Sequence, residues 1–371
     1  MYVQLLIIIL GFIALKWYPQ VGYAENQVRQ HKRYVIFMMV LLILQSGLRH
    51  VAVGSDTYQY YVGYFLDVEK SSWQSLWSDC LEFLNYGVGK DPGYRLLLKA
   101  IQYILPTYQL YLLGLAAFVF YGLGKLFVKY TSSNYEVLVA IALYQCLYYS
   151  FFSITGLRQT MATGFLFLAV PYVTDRKPWQ FVLLLLIAAT QHKSALLFAP
   201  FYFLPIVKQS RLMMIASFAM FIPMWTYGSQ FAGMLMMGSS FEQYAMFIEG
   251  YEGAGAYGFA AFILLLGALL IYYHKSIVTK EQSANLILNS IAVAILLTPL
   301  TMIDPSNMRI VQYYSIFALF ALPWVISNVE ISNIKNRYII IILLLTAYTM
   351  SRGYEYAFFW QDMALGENYS Y

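Results

Sequence analysis

An arginine and a glutamine, Arg158-Gln159, lie where two long apolar stretches of the chain meet. Neither residues 137–152 before them nor residues 161–173 after them contain a charged side chain. A guanidinium at the end of a membrane helix costs a few kcal/mol unless it has a partner or water. Gly156 is predicted to end the preceding helix, so Arg158 falls in the first turn of the next, where backbone N–H groups and the helix dipole attract anions. The stretch therefore predicts a phosphate or diphosphate site.

Two further arginines extend this anion-binding pattern. Arg49 and Arg309 each lie at the end of an apolar stretch. A single arginine at such a position could simply reach towards lipid head groups. Three of them together favour an anion site, so the predicted diphosphate ligands are Arg49, Arg158 and Arg309, with Gln159 and Lys193.

Asp56 and His192 are the two candidates for a catalytic base. Asp56 precedes a helical pattern, where it could act as an N-cap, as a proton acceptor, or as both. His192 follows an uncharged stretch and precedes Lys193. A lone histidine there could be a packing residue or a general base, because imidazole titrates near neutral pH. The sequence leaves both candidates open.

Two other carboxylates have a pattern typical of helix starts. Asp91-Pro92 and Asp304-Pro305 each combine an N-cap residue with proline at the first helical position, so a structural role is expected of them first. No cluster with metal-ligand spacing and no nucleotide-binding glycine loop is visible in the sequence. We therefore expect neither a metal nor another cofactor.

The elements that position these residues are predicted to be membrane helices. The chain of 371 residues is 60% hydrophobic and 11% charged, whereas a soluble protein has about 25% charged residues. We predict an all-α, polytopic transmembrane bundle of about twelve spans, forming one integral membrane domain over residues 1–371. The predicted spans cover residues 2–18, 34–48, 107–128, 135–152, 157–174, 179–192, 194–207, 212–231, 258–273, 284–302, 309–327 and 338–351.

Loop charge predicts the orientation of the bundle. Alternate loops carry fourteen basic and five acidic residues, and the remaining loops carry nine basic and thirteen acidic residues. Basic loops stay in the cytoplasm, so both termini and all the polar motifs are predicted to lie outside. Residues 49–106 form the longest outer segment and have the aromatic spacing of interfacial helices; residues 232–257 have the composition of a flap. Function is expected outside, where no nucleotide donor is available.

Five short motifs occur in a fixed order along the chain. They are Arg49 with Gly54-Ser55-Asp56-Thr57-Tyr58-Gln59-Tyr60, then Asp91-Pro92-Gly93-Tyr94, Arg158-Gln159, His192-Lys193-Ser194-Ala195, and Arg309 with Tyr313. In this order they resemble the EpsG family of bacterial exopolysaccharide polymerases, which is similar in role to the Wzy polymerases. The family usually has Glu where this chain has Asp91. The resemblance covers nearly the whole chain.

The resemblance implies a metal-independent glycosyltransferase of GT-C-like architecture in the bacterial cytoplasmic membrane, with its active site facing outside. Its substrate would be an oligosaccharide repeat unit on undecaprenyl diphosphate, and the growing glycan would pass to a hydroxyl of the next unit. We favour Asp56 as the base, because a fixed carboxylate also stabilises positive charge on the sugar. His192 would then position the acceptor or contact the diphosphate. The remaining substrate-binding residues implied are Tyr60, Asp91, Ser194, Asp304 and Tyr313.

The implied partners are the lipid-linked oligosaccharide, the bilayer, and chain-length regulator and flippase proteins, with no nucleic acid. Three alternative functions stay open. A flippase should carry charges deep in its helices and internal repeats, and few such charges and no clear repeat are visible. An O-acetyltransferase would need motifs facing the cytoplasm. A ligase that moves the glycan to lipid or protein would share the chemistry.

Overall fold

The structure, a computed structural model, describes residues 2–54, 56–87, 89–154, 156–236, 255–281, 283–303, 307–330, 333–353 and 355–365. These residues are predominantly helical, and the β-type pairing described among them is one antiparallel bridge between Arg49 and Phe358. The predicted all-α class is therefore confirmed. Most of the predicted flap, 232–257, lies outside the described residues.

Eighteen α-helices follow one another along the described parts of the chain. They are α1 (Tyr2–Trp17), α2 (Ala24–Gly47), α3 (Thr57–Tyr60), α4 (Asp67–Lys70), α5 (Trp73–Tyr86), α6 (Pro92–Gln102), α7 (Tyr108–Tyr130), α8 (Asn134–Leu143), α9 (Leu157–Thr174), α10 (Pro178–Gln191), α11 (Ser210–Ala219), α12 (Phe221–Met236), α13 (Tyr257–Tyr272), α14 (His274–Lys280), α15 (Ala284–Ile303), α16 (Met308–Ser315), α17 (Ala318–Asn328) and α18 (Ile334–Ser351). Four further helical stretches join them: the π-helices Tyr61–Leu66, Tyr144–Tyr148 and Ser150–Ile154, and the 3₁₀ helix Lys193–Ile206.

The chain divides into two compact units. Unit 1 consists of Met1–Leu196 together with Tyr338–Tyr371, and unit 2 consists of Leu197–Arg337. Unit 1 is thus assembled from both ends of the chain. The single membrane domain over residues 1–371 stays a prediction.

In unit 1, α8 lies at the centre and leads towards the polar motifs. From Asn134 to Leu143, every residue except Tyr135 is buried, as expected of a helix surrounded by protein. Ser133 and Glu136 form a capping box at its start, which fixes where the helix begins. Two π-helical stretches then carry the chain from Tyr144 to Ile154, just before Gly156. Wide helical turns of this kind often occur beside functional sites.

Residues 49–106, the predicted outer segment, are held together by one face of α6. Arg95 donates to Asp67 and Asp79 at 2.6 and 2.7 Å. Lys99 and Gln102 follow at helical spacing and donate to backbone carbonyls of the preceding helical segment, at 2.8–3.1 Å. These contacts hold α6 against its neighbours.

In unit 2, α15 is the central helix. It packs against α11, α12, α13 and α16. Its Asn289 donates to the carbonyls of Leu204 and Val207 at 2.8 and 2.7 Å, and so satisfies carbonyls at the end of the 3₁₀ helix. Ser290 donates to the carbonyl of Tyr314 at 2.9 Å.

The number of membrane spans is where fold and prediction differ. In the described residues, α7 and α15 are long and apolar enough to cross a membrane. Two bent helix pairs could each cross once more, namely α13 with α14, bent by 76°, and α16 with α17, bent by 52°, which gives up to four spans. Several predicted spans form helices below the about 20 residues that a straight crossing needs: α1 has 16 residues and α10 has 14. Twelve spans, a GT-C-like architecture and external termini stay predictions.

The predicted orientation can be tested by labelling. Arg176, Gln209 and Asn333 are exposed residues in loops predicted to be cytoplasmic. With Cys80 and Cys146 replaced by Ser, a single cysteine at any of the three positions should resist a membrane-impermeant maleimide in intact cells and react after lysis.

The control for this experiment is Tyr86→Cys, since Tyr86 is 78% exposed on the predicted outer segment and should react in intact cells. Efficient external labelling at two of the three cytoplasmic positions would contradict the orientation.

Candidate functional site

Asp91 lies at the centre of a buried ionic cluster in unit 1. Its Oδ2 lies 2.9 Å from Nη1 of Arg158 and 2.9 Å from Nδ1 of His192, and its Oδ1 accepts a hydrogen bond from the backbone N–H of Lys193 at 3.0 Å. The Asp91 side chain is only 1% exposed. Four residues that the sequence singled out, from three separate motifs, thus meet at one carboxylate. We call these four residues the Asp91 cluster.

Asp91 reaches these partners because it is turned away from its own helix. It occupies the N-cap position of α6, and Pro92 follows in the first turn as predicted, but the carboxylate makes no cap hydrogen bond. The backbone at Asp91 is left-handed, with φ 46°, a conformation that Asp and Asn tolerate better than most residues. Asp91 is therefore at the start of a helix, as predicted. Its side chain, however, contacts α9 and the residues that follow α10.

Electrostatics keeps Asp91 ionised. Burial alone would raise the pKa of its carboxyl, but the hydrogen bond from His192, the Arg158 guanidinium and the Lys193 N–H outweigh burial and hold the pKa below its ordinary value. Because folding lowers this pKa, the resulting stabilisation is present above the ordinary carboxyl pKa and is lost as pH falls through the lower, folded value. At neutral pH Asp91 is a carboxylate.

Gly93 lets α6 approach α10 closely enough for this contact. A Cβ atom at Gly93 would lie 2.6 Å from both the Cβ and the carbonyl oxygen of Thr190. Such a distance requires one of the two backbones to move. Thr190 is two residues before His192, so the spacing of the Asp91 cluster depends on the absence of a side chain at Gly93.

We expect Gly93→Ala to impair activity without removing any polar group. Overpacking of this kind typically costs about 1–3 kcal/mol, and the displaced α6 would lengthen the contact between Asp91 and His192. Activity per folded protein should fall at least about 10-fold. Gly63→Ala is the matched control, because no atom lies within 4 Å of a Cβ there; equal activity of both variants would contradict the argument.

In the described structure, two of the three nitrogens of the Arg158 guanidinium donate to protein groups, and the third, Nη2, does not. Nε donates to the hydroxyl oxygen of Tyr60 at 3.3 Å, Nη1 donates to Asp91, and the guanidinium lies over the ring of Tyr64, 5.3 Å from its centroid. No protein acceptor for Nη2 occurs among the contacts described for Arg158. The side chain is 14% exposed. The Nη2 edge can therefore bind an anion that approaches from outside the cluster.

Tyr64 is a site residue that sequence reasoning missed. It stacks on Tyr60 with a centroid distance of 5.0 Å, and both rings meet Tyr94 edge to face. The hydroxyl of Tyr94 in turn lies 2.7 Å from that of Tyr111. The signal was the spacing of four between Tyr60 and Tyr64, which places both rings on one face of a helix.

Asp56 lies at the start of α9 rather than capping its own helix. Its Oδ2 accepts a hydrogen bond from the backbone N–H of Gly156 at 3.2 Å, and no side-chain cap bond to α3 is present. Gly156 is the N-cap of α9 and has φ 63°, which favours glycine. A carboxylate there is stabilised by the helix dipole. Asp56 is thus hydrogen-bonded to the residue two positions before Arg158 in the chain, and its predicted role as a base stays a prediction.

Arg49 has a different environment within unit 1. It is buried, its Nη1 donates to the Ser46 carbonyl, and its Nε lies 3.5 Å from the Thr57 hydroxyl. Its Nη2 has no hydrogen-bond partner in the described structure. The C-terminal segment pairs beside it: the N–H of His50 donates to Ala357 and that of Phe359 donates to Leu48, at 2.8 and 2.9 Å. No hydrogen bond is described between Arg49 and the Asp91 cluster.

The remaining predicted residues are distributed as follows. Gln159 is buried in the first turn of α9, and Ser194 follows Lys193 at the start of the 3₁₀ helix. Arg309 is exposed in the first turn of α16, and Tyr313 is buried one turn later, both in unit 2. Asp304 lies outside the described residues. No group of three or more potential metal ligands occurs in the described parts of the chain.

Comparison with known proteins adds one match. The EpsG family matches residues 32–364 of the 371, a range that includes the Asp91 cluster, Asp56, Arg49 and Arg309. No curated protein and no solved structure matches the chain.

Proposed function

The chain belongs to the EpsG family, and from that premise we propose that it joins oligosaccharide repeat units, carried on undecaprenyl diphosphate, into an exopolysaccharide or capsule. The family and the apolar helices make it a membrane protein of polysaccharide polymerase-like function. Our proposal adds the donor, a metal-independent transfer, and an active site on the outer face of the bacterial cytoplasmic membrane.

The observation that carries this proposal is the Asp91 cluster. It holds a guanidinium and an imidazole on one buried carboxylate, at the start of α9 and the end of α10. Transfer of a glycan from a diphosphate needs a cation for the leaving group and an acceptor for the proton of the attacking hydroxyl. The cluster contains both.

The proposed reaction is a displacement at the anomeric carbon of the growing glycan. The hydroxyl oxygen of the incoming unit forms a bond to that carbon, and the bond from the carbon to the diphosphate oxygen breaks. The electron pair leaves with the lipid diphosphate, whose negative charge the Nη2 edge of Arg158 would stabilise. The hydroxyl proton passes to His192 or to Asp56.

The other site residues keep proposed roles. Gln159, Lys193, Arg49 and Arg309 are proposed diphosphate ligands, and Tyr60, Ser194, Asp304 and Tyr313 are proposed substrate contacts. Among the proposed contacts, Tyr60 has a hydroxyl that accepts from Arg158, so it would also orient the guanidinium. Chain-length regulator and flippase proteins are proposed partners.

Deletion of the gene in the native strain tests the proposal. We expect polymer to disappear and single repeat units to accumulate on undecaprenyl diphosphate in the outer leaflet. Accumulation in the cytoplasmic leaflet would indicate a flippase instead, and polymer of normal length that is no longer attached to its final acceptor would indicate a ligase. Purified protein should also polymerise lipid-linked repeat units without added metal.

A further inference from the structure

We infer that Asp91 is a positioning residue, which holds His192 with Nε2 available to accept the proton and holds Arg158 with Nη2 available for the diphosphate. The inference rests on the proposed function for its chemistry. It differs from the expectation that Asp91 contacts the substrate. A side chain that is 1% exposed, with both oxygens engaged by protein donors, has little surface left for a ligand.

The first step is the protonation of the histidine ring. Arg158 Nη1 and the Lys193 N–H can only donate, so both Asp91 oxygens act as acceptors towards them. With these donors its pKa lies below the ordinary carboxyl value, so at neutral pH Asp91 is ionised and offers no proton to His192. The contact of 2.9 Å between Oδ2 and Nδ1 must then be a bond that Nδ1–H donates.

The second step follows from the shape of imidazole. When Nδ1 carries the proton in a neutral ring, Nε2 has the lone pair and is the basic atom. Nε2 lies on the side of the ring opposite Nδ1 and so points away from Asp91. The hydrogen bond described for the His192 ring is the one at Nδ1, and the side chain retains 9% exposure. Nε2 is therefore the atom through which His192 can take a proton.

The third step is the backbone contact. His192 is extended, with φ −157°, at the break between α10 and the 3₁₀ helix. Asp91 bonds the ring of His192 and, through its other oxygen, the N–H of the next residue, Lys193. One carboxylate thus fixes both the ring and the main chain that carries it. In other enzymes, a carboxylate hydrogen-bonded to a catalytic histidine likewise fixes the orientation and the tautomer of the ring.

Asp56 has a different arrangement. Its Oδ2 accepts a hydrogen bond from the backbone N–H of Gly156 at 3.2 Å. It stabilises the start of the helix that carries Arg158. The geometry therefore favours His192 over Asp56 as the proton acceptor.

Asp91→Asn in the full-length purified protein is the test. Asn has nearly the same shape and tolerates the left-handed backbone, but it has one acceptor oxygen for three donors. We expect its amide to donate to Nδ1 of His192, which would move the ring proton to Nε2. With lipid-linked repeat units as substrate, kcat should fall about 10²–10⁴-fold while KM changes less than about 3-fold. Asp67→Asn, an exposed partner of Arg95, is the matched control and should change kcat by less than about 2-fold.

A spectroscopic measurement separates this inference from the proposed function. In protein labelled with ¹⁵N-histidine, the His192 signals, assigned by their loss in His192→Gln, should show a proton on Nδ1 in the wild type and on Nε2 in Asp91→Asn. This measurement needs no substrate, so the wild-type spectrum tests the inference even if Asp91→Asn fails to fold. A wild-type proton on Nε2, or an unchanged kcat in Asp91→Asn, would overturn it; a wild-type protein that polymerises nothing would instead refute the proposed function.

Discussion

Arg158→Lys should abolish most polymer formation while the protein accumulates normally. Lysine keeps one charge, but it loses the planar fork that now binds Tyr60 and Asp91 and leaves the Nη2 edge for the diphosphate. A donor lost from a charge-stabilising site typically costs about 10²–10³-fold in rate. The measurement is the initial rate of polymerisation by purified protein, with lipid-linked repeat units as donor and acceptor.

The matched control for this variant is Arg95→Lys. Arg95 also pairs with two aspartates, but it does so on the more exposed face of α6, where ion pairs contribute about 0–1 kcal/mol. Its rate should remain within about 3-fold of the wild type. Normal polymer from Arg158→Lys would show that Arg158 only anchors the protein to lipid or to Asp91.

His192→Gln should lose more activity than Asp56→Asn. A general base contributes about 10²–10⁴-fold, and Gln retains hydrogen-bonding capacity without a basic nitrogen. Asn at Asp56 retains an acceptor for the Gly156 N–H, so the start of α9 should stay intact. The comparison is made on single-turnover rates at saturating substrate, with binding of the lipid-linked unit measured separately.

The reverse result would restore the assignment that we favoured from sequence. If Asp56→Asn binds substrate, keeps its fold and does not turn over, whereas His192→Gln remains active, then Asp56 is the base. His192 would in that case position the acceptor. Added imidazole should rescue a His192→Ala variant only if His192 is the base.

Hydrophobicity along the sequence predicted the positions of several helices and breaks well. The apolar stretch 284–302 became α15, Ala284–Ile303, and the polar break at residues 191–194 separates α10 from the 3₁₀ helix. Four of the polar residues that the sequence singled out meet in the Asp91 cluster, and the roles predicted for them stay predictions. The family predicted from the ordered motifs is confirmed by the match over residues 32–364.

The direction of side chains could not be predicted in the same way. The N-cap position of Asp91 follows from the proline after it, but its partners are 67 and 101 residues away in sequence, and no local pattern encodes such distances. Similarly, the predicted span 135–152 became α8 followed by two π-helical stretches. A π turn differs from an α turn by one residue, a difference that hydrophobic periodicity does not resolve.

The bridge between Arg49 and Phe358 sets an order on biosynthesis. The loop that follows α2 pairs with a segment that leaves the ribosome some three hundred residues later, because unit 1 takes its last part from Tyr338–Tyr371. While unit 2 is being translated, the carbonyl of Leu48 and the N–H of His50 cannot yet form their hydrogen bonds with Phe359 and Ala357. Unit 1 therefore cannot reach its final form during translation, and a truncated chain that ends before residue 357 would display an unfinished edge to the quality-control proteases of the cell.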